Sequence, residues 1–252
     1  MRKIEKYIDR LFRDITRNLK SYEQSRDAEC LHDIRVDIKK LKAIINLIKE
    51  NKKNFKAHNQ FKPLRDIFRE AGDIRQPEVL FQLLLKYGVN DIKKDSLLDT
   101  DNSVVDDFIH HISMFKKRCK TSKKELIKHV AKIDHKTVVQ SIDNFEKRLR
   151  KALTNKINFE RIHKTRKLIK QVIYLSDIHN DLKKKKRQFF DELQELIGVI
   201  HDKQLLTILL RKPASIDHQK TLEDLKGAVE ADKRSIIGRC QGFYKVENIQ
   251  FV

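Results

Sequence analysis

The sequence predicts an all-α protein, and three observations carry that expectation. The first is turn chemistry. The 252 residues include only 6 Gly and 3 Pro, roughly a third of the usual share, taking averages of about 7% and 5%. Sandwiches, barrels and nucleotide-binding α/β folds need many positive-φ turns, and therefore glycine. The second is periodicity: Leu, Ile, Val and Phe recur at helical spacing along the chain, which also argues against disorder. The third is repetition: the second half repeats the order of helices and motifs seen in the first. Helices joined by short loops should pack as two antiparallel bundles related by an internal pseudo-twofold.

The elements follow in order. Ile4, Ile8, Leu11, Ile15 and Leu19 form one apolar face of a helix over about 2–21. Leu31, Ile34, Ile38, Leu41, Ile45 and Ile48 line a second over about 27–50. A third, about 55–71, is expected to end at Gly72 as a left-handed cap, and a fourth, about 76–88, to stop near Gly88. Residues 89–101 are rich in Asp, Lys and Ser and read as a loop. A long helix over about 102–131 follows, with a break expected near Thr121–Ser122. The second half predicts helices over about 137–153, 160–180, 183–198, 201–211 and 216–238, then an irregular strap over 239–252. This divides a single domain, 1–252, into halves of about 1–131 and 132–240 with a short tail.

Lys and Arg total 56 against 36 Asp and Glu, a formal net charge of +20. Such an excess implies a polyanionic partner: nucleic acid, anionic lipid or polyphosphate. The N-terminal MRKIEKYIDR has no apolar signal core, so secretion is not expected. No run approaches the ~20 apolar residues of a membrane span. Cys30, Cys119 and Cys240 are odd in number and widely spaced, unlike a disulfide framework or zinc knuckle. They read as free thiols of a cytoplasmic protein.

The repeat is visible in residues. His32-Asp33-Ile34-Arg35-Val36-Asp37-Ile38-Lys39 and His163-Lys164-Thr165-Arg166-Lys167-Leu168-Ile169-Lys170 both read His-x-x-Arg-x-x-Ile-Lys. Gly72-Asp73-Ile74-Arg75-Gln76 similarly matches Gly198-Val199-Ile200-His201-Asp202. At about 100° per residue, His32, Arg35, Lys39 and Lys42 share a stripe of about 80° that flanks the buried face. His163, Arg166 and Lys170 occupy the same arc of their helix, beside Tyr174. A pseudo-twofold packing would set both stripes across one groove. Arg forks two donors onto a phosphate, Lys adds compact charge, and protonated His donates from both nitrogens.

These residues resemble the conserved histidine α-helical domain, the CHAD family, over about residues 1–240. His32-x-x-Arg35-Val36-x-x-Lys39-Lys40-x-Lys42 is similar to the family's first signature, and His163-x-x-Arg166-x-x-x-Lys170-x-x-x-Tyr174 to its second. The glycine segments resemble its L-G-x-x-R-D and L-G-x-x-N-D turns, adding Arg75 and His201 to the implied site. The resemblance implies two helical bundles and non-enzymatic binding of inorganic polyphosphate along a basic groove between them. It implies no cofactor and no resident metal, and a cytoplasmic setting, often at polyphosphate granules. Gln76, His201 and Ile173 depart from the usual Asp, Asn and Arg. The E-x-E-x-K string of relatives fused to a triphosphate-tunnel domain does not occur.

Two other readings use the same residues. A nucleic-acid-binding helical protein could use the basic surface, although an aromatic content of 7% offers few stacking platforms. A metal-dependent phosphohydrolase would need His32-Asp33, His201-Asp202, His179 and Asp181 to converge. Asp33, about 100° from His32 on the helix, points instead towards solvent. His110 and His111 are adjacent, so they face different ways. The run Lys183-Lys184-Lys185-Lys186-Arg187 reads as a solvated helix start that adds to anion attraction.

Overall fold

The computed structural model describes residues 2–89, 102–154, 157, 162–179, 182–211 and 219–249. Among them are eight α-helices: α1 (Lys3–Ser25), α2 (Ala28–Asn51), α3 (Ala57–Lys86), α4 (Asn102–Val130), α5 (His135–Thr154), α6 (Ile162–Ser176), α7 (Lys184–Leu210) and α8 (Gln219–Ile249). The chain divides into two compact units, Met1–Ser141 and Ile142–Val252. The division falls inside α5.

The first unit is built on α1 and α2, whose inward stripes fall where the apolar spacing put them. Ile4, Ile8, Leu11, Ile15 and Leu19 are all at most 2% exposed, as are Leu31, Ile34, Ile38, Leu41, Ile45 and Ile48. Arg26, in the left-handed region at φ 59°, ends α1, and the Asp27 carboxylate accepts the Glu29 N–H to open α2. Only two residues therefore reverse the chain. α2 packs on α3, α3 on α4, and α4 back on α1, closing a four-helix bundle. Ion pairs brace its edges: Lys123 to Asp9 at 2.7 Å and Arg118 to Asp66 at 3.1 Å.

In the second unit α6 packs on α7 and α7 on α8. α5 meets α7 through Lys186 and Glu146 at 2.8 Å, and α8 through Arg150 over the Tyr244 ring. Lys203, only 8% exposed, pairs with Asp232 at 2.7 Å and ties α7 to α8.

Four boundary expectations are corrected. Gly72 does not end a helix: α3 runs through it, and through Pro63 and Pro77, to Lys86. Gly198 likewise lies inside α7. One glycine costs a helix interior about 1 kcal/mol, less than is gained by burying Leu64, Ile67 and Ala71 on one side of Gly72 and Leu83 and Leu84 on the other. No break occurs at Thr121–Ser122. The Thr121 hydroxyl donates back to the Lys117 carbonyl, and Ser122 is buried within a continuous α4. The expected strap is helical as far as Ile249, because Ile236, Cys240 and Tyr244 continue the buried stripe of α8 and Phe243 stacks on Phe189 at 3.7 Å. Gly88 does carry a positive φ, 74°, just beyond α3. The expected loop lies mostly outside the described residues. No helix among them is long and apolar enough to cross a membrane.

Candidate anion-binding site

In the first unit the basic stripe of α2 lies against α3. Arg35 is the centre. Its guanidinium lies over the Phe68 ring, 3.9 Å from the centroid, and Nη1 donates to the Phe68 carbonyl. It crosses α3 at Gly72, where a Cβ would overlap Nη1 and stand 2.9 Å from Cζ. Lys39 lies 5.7 Å from the same ring, and Lys42 lies 4.6 Å from the Phe61 ring. Arg75, one turn beyond Gly72, is close enough that, after burial, its charge is the main influence lowering the Arg35 pKa, with Asp73 opposing it. Lys40 turns away: its ammonium pairs at 2.9 Å with the buried Asp37. His32 is half-buried on the α2 face one turn before Arg35.

The second unit builds the same arrangement on α6 and α7. Arg166 Nε donates to the Gln194 carbonyl at 3.1 Å. Its guanidinium crosses α7 at Gly198, where a Cβ would stand 2.8 Å from Nη2 and 3.3 Å from Cζ. In both units, then, the arginine bonds the carbonyl four residues before the glycine it crosses. His201 takes the place of Arg75 three residues after that glycine, and its ring lies 5.2 Å from that of His163. Burial, then the charges of Lys167, His201 and Arg166, hold His163 below its ordinary pKa. Burial, then Arg166, does the same to Lys170.

Both clusters thus gather cations that depress one another. Among the described residues, no carboxylate lies within ion-pairing distance of Arg35, Arg75, Arg166 or Lys170. Part of the basic run 183–187 contrasts with this. In the run 183–187, Lys186 is bound to Glu146, Arg187 to Asp177 and Asp191, and Lys183, Lys184 and Lys185 are exposed. Tyr174 is half-buried two turns beyond Lys167 on α6.

The sequence placed these cations on shared helix faces but did not show what they rest on. Phe61 and Phe68, the carbonyls of Phe68 and Gln194, and the open backbone at Gly72 and Gly198 form the bed. The trace of that bed in the sequence is the matched pair Gly72 and Gly198, which does not by itself reveal the role.

Among the described residues, no group of three or more His, Cys, Asp or Glu side chains is arranged to hold a metal. Asp33 is exposed, and Asp181 lies outside the described residues. His111 Nδ1 is 2.9 Å from Glu70 in a contact between α4 and α3. Burial pushes the Cys119 and Cys240 thiols up to about 12, leaving them un-ionised and poor nucleophiles.

The fold and the two seats define an all-helical protein in which an arginine-centred cationic cluster recurs in each half. The chain belongs to the CHAD domain family, whose model matches residues 6–211. Comparisons with curated proteins and with solved structures give no match.

Proposed function

We propose that this protein binds inorganic polyphosphate, without chemical turnover, through the clusters His32/Arg35/Lys39/Lys42/Arg75 and His163/Arg166/Lys170/His201. One observation carries the reading: in both units an arginine is fixed against a helix by a carbonyl bond while neighbouring cations crowd it. A phosphate chain relieves that crowding. Each guanidinium spends one N–H on the protein and keeps further donors for phosphate oxygens. The family membership supports the same ligand, since polyphosphate binding is what the resemblance implies. Lys40, tied to Asp37, contributes field more than contact.

Phosphate is favoured over bases by the aromatic rings. Arg35 lies over Phe68 and Lys42 over Phe61, so the ring faces turned to the stripe already hold cations and are not open to stacking. The same proposal puts the protein in the cytoplasm, at polyphosphate granules where its ligand is stored. A polyphosphate chain long enough to engage both clusters gains from linked contacts.

The test is direct competition among polyphosphate, RNA and DNA of matched charge at fixed salt. Polyphosphate is expected to displace both nucleic acids. Preference for RNA or DNA would transfer the site to nucleic acid. Binding without turnover also predicts that polyphosphate survives incubation with magnesium, manganese or zinc. Phosphate release that disappears on changing His32 or Asp33 would contradict it.

A further inference from the structure

Gly72 and Gly198 are unusual helical glycines. Each sits inside a long helix, where Ala is the better helix former, and neither has a positive φ. No backbone requirement therefore explains them. What stands over them does: an added Cβ would meet the guanidinium of Arg35 at Gly72 and that of Arg166 at Gly198. At Gly227, Gly238 and Gly242, by contrast, a Cβ would meet nothing within 4 Å. The two that are occupied are the two that match in the repeat.

We infer that Gly72 and Gly198 are positioning residues: each opens a notch in its helix that seats an arginine guanidinium in the orientation used to grip phosphate. The notch lets the guanidinium reach the carbonyl one turn earlier, Phe68 or Gln194. With one edge fixed there, the fork loses rotational freedom before ligand arrives, which lowers the entropic cost of binding. A methyl group at either position pushes the flexible end of the arginine out, because side-chain ends yield more readily than the helix backbone. The helix remains, and the preset fork is lost. The inference rests on the polyphosphate reading for its binding half. The seating itself is independent of ligand.

The experiment uses the full chain with Gly72→Ala, Gly198→Ala, and each combined with Arg35→Lys or Arg166→Lys. Without ligand, the Arg166 Nε–H, hydrogen-bonded to Gln194, should give a slowly exchanging NMR signal, assigned by its loss in Arg166→Lys. In Gly198→Ala that signal should vanish into fast exchange, while helix content and Tm stay level or rise. With long-chain polyphosphate, each glycine substitution should weaken binding roughly tenfold, the value of about one charge-assisted contact. In the arginine-substituted backgrounds the same substitution should cost nothing further. An Arg166 signal and an affinity both unchanged in Gly198→Ala would overturn the inference, as would equal losses with and without the arginine. Absence of polyphosphate binding by the unsubstituted protein would instead remove the ligand reading, while the NMR signal would still decide the seating.

Discussion

His163 makes the second cluster sensitive to protons. Burial and three neighbouring cationic groups hold His163 below its ordinary value of 6.5. As pH falls through that value, the unfolded chain takes up protons that the folded protein resists. This group's contribution to stability is complete above about 6.5 and is lost as pH drops towards the lower folded value. A bound phosphate chain acts in the opposite sense, because its charge favours the imidazolium. Polyphosphate affinity should therefore rise as pH falls towards the lowered His163 value of the free protein, with proton uptake on binding measurable by calorimetry in buffers of different ionisation heat. His163→Gln should flatten that rise. An unchanged pH profile in the variant would show that another group carries it. At this scale the cations were legible in the sequence, since a 100° turn per residue fixes which side chains share an arc. The role of glycine was not legible. A lone glycine in sequence signals a terminus as readily as a notch, and only the facing arginine decides between them. The turning of Lys40 to Asp37 was hidden similarly, because it depends on burial of Asp37.

Among the elements, the pair α7 and α8 depends on a contact with no counterpart in the sequence motifs. Lys203 is nearly buried and its ammonium is held by Asp232. Asp232→Ala should leave that charge stranded and cost on the order of 2 kcal/mol, allowing for the water Asp232 still meets. Replacing both partners together, Lys203→Met with Asp232→Leu, should cost much less. Urea unfolding checks both variants, and equal losses would refute the stranded-charge explanation. Helix existence and inner faces were readable from spacing alone, as Ile4 to Leu19 and Leu31 to Ile48 show. Helix ends were not. Gly72, Gly198 and Thr121–Ser122 are locally weak, yet tertiary burial on both sides carries each helix across them. Beyond residue 239, the aromatic pair Phe189 and Phe243 supplies packing that the local sequence does not advertise.

For the whole molecule, the proposed function has the +20 excess charge set the attraction and the two seats set the selectivity. If several Lys and Arg neutralise phosphates, log affinity should fall linearly and steeply with log salt, through release of counterions. A flat salt dependence between low and physiological strength would remove the electrostatic premise. Diffuse attraction and built sites both give a salt slope, so the slope alone cannot separate them. The separation lies in which cations matter. The most direct measurement compares long- and short-chain polyphosphate binding to Arg35→Ala/Lys39→Ala, Arg166→Ala/Lys170→Ala and the surface control Lys183→Ala/Lys184→Ala. Charge-assisted contacts of about 1.5–3 kcal/mol, reduced where water screens them, predict a loss of roughly 30-fold or more for each seat variant on the long chain. The loss should be smaller on a chain too short to engage both clusters, and the control should change little, with helix content preserved throughout. A control as damaging as the seat variants would contradict the account, because binding would then follow total charge and not the two arginine seats.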